Sequence, residues 1–324
     1  MAKRDPIEQA LNRISALKAA EVDAAFVDEL RALLNNRSNL VAAKAAKLAG
    51  ARRVTVLIPE LVAAFHKLIV DAARLDKHCA ALTEIVTALY EMDHAEPEVY
   101  RQGLAHVQRE PSFGGAVDAA AQLRGLCAMG LVRTRDREAL ADVVALLVDP
   151  EPPARIGAVR ALATNGGEAG ALALRLRVLT GDSEPEVLAE CFSGLLAAQS
   201  ASSVAFVARY VDAEEAAIAE AAILALGASR APHAIPVLKE KWERTLRGPI
   251  KKVLLFALAT SRNEEALRFL LTLLGSAPIG TALEVLSALA EQRPSESIRA
   301  AIQSAVERRA AESLFDAWKS LFPL

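Results

Sequence analysis

Ala161-Leu162-Ala163, Gly194-Leu195-Leu196, Ala225-Leu226-Gly227, Ala257-Leu258-Ala259 and Ala288-Leu289-Ala290 are five versions of one phrase. Each closes a helix of small residues and is followed by a short turn and a second helix with a polar stop. The leucines stand 33, 31, 32 and 31 residues apart. A period of that size, filled with helix formers, marks stacked helical pairs, because one pair cannot bury its apolar face except on its neighbours. The expected fold class is all-α, an α-α superhelix of about eight or nine helical pairs.

Working outward from the phrase, regular units fall at 150–182, 183–213, 214–245, 246–276 and 277–309. Asp149-Pro150-Glu151-Pro152-Pro153 and Asp182-Ser183-Glu184-Pro185-Glu186 mark unit starts, since a capping oxygen satisfies free N–H groups and proline suits the first turn. Within a unit, Ala158 and Leu162, then Leu172, Leu176 and Leu179, recur at helical spacing and are expected in the core. Upstream the rhythm is slower: Leu48, Leu89 and Met129 play the same part, 41 and 40 residues apart. Helices are expected there over 6–19, 22–34, 39–51, 56–72, 74–92, 96–108, 116–131 and 136–148, with Asp5 as the first N-cap and 110–115 as a loop. Residues 312–324 carry Leu314, Phe315, Trp318, Leu321 and Phe322 on one stripe, as a capping helix would. The continuity of the repeat predicts a single elongated domain over 1–324, with divergent repeats over 1–149, regular ones over 150–309 and a cap over 310–324.

Composition narrows the function classes. Hydrophobic residues make up 53% of the 324, yet aromatics only 4%, which suits close helix packing more than a large ligand cavity. The longest apolar stretch, 54–70, is interrupted by Pro59, Glu60, His66 and Lys67 and falls short of a membrane span. No apolar segment follows Lys3 and Arg4, and Cys79, Cys127 and Cys191 are odd in number and far apart, so a cytoplasmic setting with reduced thiols is expected. Cys127 and Cys191 lie in small-residue helices and read as core filler. Asp76, His78 and Cys79 are the nearest approach to a metal cluster, but they point in different directions on one helical turn. No phosphate-binding loop or nucleophile elbow is present, so no enzyme, cofactor or metal is expected.

The run Leu147-Val148-Asp149-Pro150-Glu151-Pro152-Pro153-Ala154-Arg155-Ile156-Gly157-Ala158-Val159-Arg160-Ala161-Leu162 resembles a HEAT repeat of the bacterial type that also occurs in phycobilin lyase subunits. Asp149 and Arg155 match the aspartate and arginine of such repeats, and the resemblance implies inter-repeat polar contacts between them. Leu188 stands where the next arginine is expected, so that row is interrupted. The resemblance implies architecture; HEAT-like repeats serve scaffolds, adaptors, lyase subunits and a class of DNA glycosylases.

Charge is distributed in blocks despite a net value of −2. Residues 37–77 carry eight bases against three acids, 182–220 eight acids against Arg209, and 230–252 seven bases against Glu240 and Glu243. Such blocks steer a charged partner to one section of a surface. The expected partner-binding residues are Lys239, Lys241, Trp242, Arg244 and Arg247 on one second helix, with Arg177 and Arg209, then Arg268 and Arg299, at equivalent positions of successive units. The expected function is a non-catalytic scaffold or adaptor that binds another protein on a concave face. Nucleic acid binding of the alkylpurine DNA glycosylase type is the first alternative, disfavoured by a pI near 6.3 and by only two, separated tryptophans. A bilin-lyase-like subunit is the second, with no aromatic pocket signature to identify its ligand.

Overall fold

The computed structural model describes residues 5–197, 200–246 and 248–322. The expected all-α class of helical pairs holds, with twenty α-helices among the described residues. The chain divides into two compact units, Met1–Leu174 and Arg175–Leu324.

In the first unit, helices α1 (Pro6–Leu17) and α2 (Ala24–Leu34) form one pair, and α3 (Asn39–Ala51) and α4 (Ile58–Ile69) the next. A short α5 (Ala72–Leu75) precedes α6 (Ala80–Glu91) and α7 (Pro97–Leu104). Strands β1 (Arg109–Ser112) and β2 (Gly115–Asp118) then form an antiparallel hairpin, followed by α8 (Ala121–Arg133), α9 (Ala139–Ala145) and α10 (Pro152–Asn165). Helix α11 (Gly167–Thr180) runs through the division. The second unit contains α12 (Pro185–Leu196) with α13 (Ala201–Ala208), α14 (Ala216–Ala228) with α15 (Ala234–Arg244), α16 (Pro249–Thr260) with α17 (Glu264–Ser276), α18 (Ile279–Glu291) with α19 (Glu296–Arg309), and α20 (Glu312–Leu321).

First helices pack on first helices: α3 on α6, α6 on α8 and α8 on α10 in one unit, and α12, α14, α16 and α18 in sequence in the other. Their small residues follow from that placement. Helix α8 buries Ala121, Leu123, Gly125, Cys127, Ala128, Gly130, Leu131 and Val132, so it is covered nearly all round rather than along one stripe. Gly125 and Gly157 meet where α8 crosses α10; a Cβ on Gly157 would lie 2.1 Å from the Gly125 Cα. The second helix α17 is amphipathic instead and buries Ala266, Leu270, Leu273 and Leu274 along one face. Local caps agree with the sequence: Asp5 accepts from the Ile7 N–H at 3.0 Å, and Pro6, Pro97, Pro152, Pro185 and Pro249 each open a helix.

Four expectations are corrected. Asp149 and Asp182 are not N-caps; each accepts an N–H two residues on, from Glu151 at 2.8 Å and Glu184 at 2.9 Å, and so shapes the turn before the helix. The supposed loop is the β1–β2 hairpin, and the helix expected over 116–131 starts at Ala121 because β2 occupies 115–118. The helix expected over 74–92 is broken by His78 and Cys79, both left-handed. Leu172, Leu176 and Leu179 are about 60% exposed (62%, 63% and 58%), while Leu174 and Val178 enter the core. Helix α20 buries Leu314 and the following Phe322, with Trp318 stacked on Phe322 at 4.2 Å between ring centroids. No described helix is long and apolar enough to cross a membrane.

Candidate functional site

A cavity of about 400 Å³ opens in the second unit where α16 and α18 turn into α17 and α19. Its apolar wall is Leu258, Leu267, Leu270, Leu289, Pro294 and Ile298, and its polar groups are Arg262, Asn263, Glu264, Gln292, Arg293 and Ser295. Asn263 is committed to capping α17, accepting from Glu265 N at 2.8 Å and Ala266 N at 3.4 Å. Arg262 and Arg293 are exposed, and among the described residues neither guanidinium has an ion-pair partner.

Their placement follows from how each first helix ends. Arg262 and Arg293 are the second residue past α16 and α18, with φ of 50° and 48°, the left-handed conformation that reverses a chain leaving a helix. Their N–H groups donate to Ala259 O at 3.3 Å and Ala290 O at 3.1 Å. Arg230 occupies the same position after α14, with φ of 54°, and is also exposed and unpaired among the described residues. Before two of these arginines a serine hydroxyl helps fix the turn. Ser261 donates to Leu258 O at 2.6 Å, and Ser229 donates to Leu226 O at 2.7 Å. The turn therefore holds an arginine where glycine is sterically favoured.

The corresponding row in the first unit, Arg53, Asp93 and the exposed Arg135 after α3, α6 and α8, contains one counter-charge. Arg53 and Asp93 take the same left-handed position after α3 and α6, and Arg53 Nη2 meets Asp93 Oδ2 at 2.6 Å. Arg133 binds the other Asp93 oxygen and lies over the Tyr90 ring at 4.4 Å. The Arg53 hydrogen bond, assisted by the charge of Arg133, holds the Asp93 carboxyl below the usual carboxylate range.

The opposite edge of the first unit is held by buried charge. Arg124 binds both Asp149 oxygens at 2.8 Å, Asp118 Oδ2 at 2.7 Å and His106 O at 3.0 Å. Arg155, its equivalent in α10, donates to the Asp149 and Pro150 carbonyls at 2.9 Å. Burial alone would raise the Asp118 pKa, but hydrogen bonds from Gln108 N, Ala120 N and Arg124 outweigh it and hold the group low. Asp76, fully buried, accepts from Asn39, Ala81 N and Leu82 N, while His78 is exposed beside Glu110. Burial pushes the Cys79 and Cys191 thiols up to about 12 and raises Cys127 well above the ordinary thiol value. These groups anchor structure.

The residues expected to bind a partner are scattered, and most are engaged within the fold. Lys241 and Arg244 both grip Asp212 at 2.6 Å, and the Lys241 hydrogen bond is the main reason that carboxyl titrates low. Lys239 pairs with Glu265 at 2.8 Å. Trp242 is half-buried, with Phe269 edge-on at 5.6 Å and Lys251 3.9 Å from its ring centroid. Arg177 is bonded to Asp182, Arg209 lies 5.6 Å from the Phe206 ring centroid and Arg299 5.8 Å from that of Phe322. Arg268 is exposed without an ion-pair partner among the described residues. Arg247 lies outside the described residues. Sequence reasoning passed over Arg262 and Arg293. Its available signal was position: each follows the leucine of the repeated phrase by four residues, as Arg230 does.

No protein-family model matches the chain, and no curated protein matches it. Among solved structures it is similar to human deoxyhypusine hydroxylase in complex with glycerol, at 18% identity and a TM-score of 0.33, over 81% of this chain and 92% of that one. That neighbour is an enzyme, which corrects the expectation of a non-catalytic scaffold and of no enzymatic activity: missing sequence motifs are no ground for excluding catalysis, and both readings are withdrawn. A likeness at this TM-score assigns no chemistry to the chain.

Proposed function

We propose that the second unit is a ligand-binding module for an amphipathic anion, with the apolar body in the cavity and the acid group at Arg262 and Arg293. The observation that carries this reading is two guanidiniums, neither with an ion-pair partner among the described residues, on the rim of one apolar cavity. Arginine suits the task because its planar fork meets a carboxylate or phosphate through two hydrogen bonds. The volume of about 400 Å³ lies within the range of small-molecule sites. A wider depression of about 520 Å³ on α14, α16 and α18 is less suited, since its Lys252 faces Glu284 at 3.5 Å. Inter-repeat bridging of Asp118 and Asp149 by Arg124 also supports reading the chain as HEAT-like.

Isothermal titration of the full chain with decanoate and with decanol tests the assignment. Decanoate is expected to bind and decanol to bind more weakly, with the difference abolished in Arg262→Gln/Arg293→Gln. Equal binding of acid and alcohol to the wild-type chain would remove the arginines from the site.

A further inference from the structure

The two cavity arginines belong to a longer row. Arg230, Arg262 and Arg293 follow α14, α16 and α18 at the same left-handed position, one per helical pair and 32 and 31 residues apart. None has an ion-pair partner among the described residues. The first unit shows what this position accepts: Asp93, a carboxylate of the chain itself, is gripped there by Arg53 of the preceding first helix and by Arg133 of the following one. The second unit presents the bases without the acid.

We propose that this row is the docking surface for an acidic peptide segment in extended polyproline II conformation, with aspartate or glutamate at every third residue. The spacing selects that conformation. Neighbouring helices stack about 8–10 Å apart. A polyproline II chain has three residues per turn and rises about 9 Å over them, so every third side chain shares one face at nearly the helix-stacking interval. Carboxylates in that register face successive arginines, and an apolar residue beside one of them enters the cavity that Arg262 and Arg293 border. This inference rests on the cavity being an anion-binding site, and it adds Arg230, which does not line that cavity.

The test uses the full chain and two fluorescein-labelled nonapeptides of identical composition, Asp-Pro-Pro repeated three times and the isomer with its three aspartates consecutive, read by anisotropy. The registered peptide is expected to bind more tightly than the clustered one. Arg230→Gln should weaken it about two- to fivefold at low salt, the range of one exposed charge pair, and leave decanoate binding unchanged. Loss of decanoate binding in the wild-type chain would show failure of the cavity reading instead. Equal affinity for the two peptides, no effect of Arg230→Gln, or tighter binding of a thymidine oligonucleotide of equal charge would overturn the proposal.

Discussion

Replacing Gly157 by alanine places one methyl group where α8 and α10 cross. The new Cβ would stand 2.1 Å from Gly125 Cα and 2.6 Å from its carbonyl carbon and oxygen. No rotamer relieves this, because both sides of the contact are backbone. The helices must separate by about 1 Å, and a gap of that size forfeits a quarter to a half of the dispersion energy of the atoms that line it. Overpacking of this kind costs about 1–3 kcal/mol, against a gain of up to ~1 kcal/mol from replacing glycine inside a helix. A net destabilisation of about 1–2 kcal/mol is expected, which lowers the midpoint of thermal unfolding by a few degrees at this size, at about 2–4 °C per kcal/mol. The internal control is Gly275→Ala in α17, where a Cβ meets nothing within 4 Å. That change should stabilise by about 0.5–1 kcal/mol. Urea titrations of both variants, followed by circular dichroism, measure the difference. If Gly157→Ala proves as stable as Gly275→Ala, the close crossing of α8 and α10 is refuted.

Other expectations concern charge and thiols. The low-titrating carboxyls Asp93, Asp118, Asp212 and Asp136, the last gripped by Arg101, have folded pKa values below their unfolded ones, so their stabilisation is complete above about pH 4 and is lost as pH falls through the folded values. Urea midpoints measured from pH 6 to pH 3 should drop; a flat profile would contradict the Arg124 cluster. Cys79, Cys127 and Cys191 should resist iodoacetamide in the folded chain at pH 8 and react on unfolding, because burial keeps them as thiols. Charge reversal at Lys241 and Arg244 puts two acids against Asp212, and a lower melting temperature is expected; the exposed half of this clamp limits the loss to about 1 kcal/mol per pair.

The repeat was legible because the same phrase closes the first helix of every regular unit, and Asp-x-x-Pro or a bare proline opens α10, α12, α16 and α18, though not α14. Units 150–182 to 277–309 accordingly contain α10 and α11 through α18 and α19. Helix α11 misled because it carries leucines on two faces; Leu172, Leu176 and Leu179 have the spacing of a core stripe, but Leu174 and Val178 have it too. Periodicity cannot choose between two such stripes when the neighbour that covers one is unknown. The hairpin escaped because four-residue strands of Arg-Glu-Pro-Ser and Gly-Ala-Val-Asp lack apolar alternation; Arg124 and Gln108, which come from outside those strands, bind Asp118 and Glu110 in them. Arg262 and Arg293 escaped for another reason. A left-handed residue is usually announced by glycine, and an arginine in a turn reads as a solvated charge.

The contrast between the two turn rows has a dynamic consequence. A site that binds only the folded chain raises stability by RT ln(1 + [L]/Kd), and that gain falls on whichever region the ligand holds together. Local opening in the first unit, with Asp93 built in, should be indifferent to added acid, whereas local opening in the second should become rarer as ligand concentration rises. Hydrogen exchange along one chain would then show protection that is fixed around Asp93 and rises with ligand around Arg262 and Arg293, so that the protein carries its own reference beside its sensor.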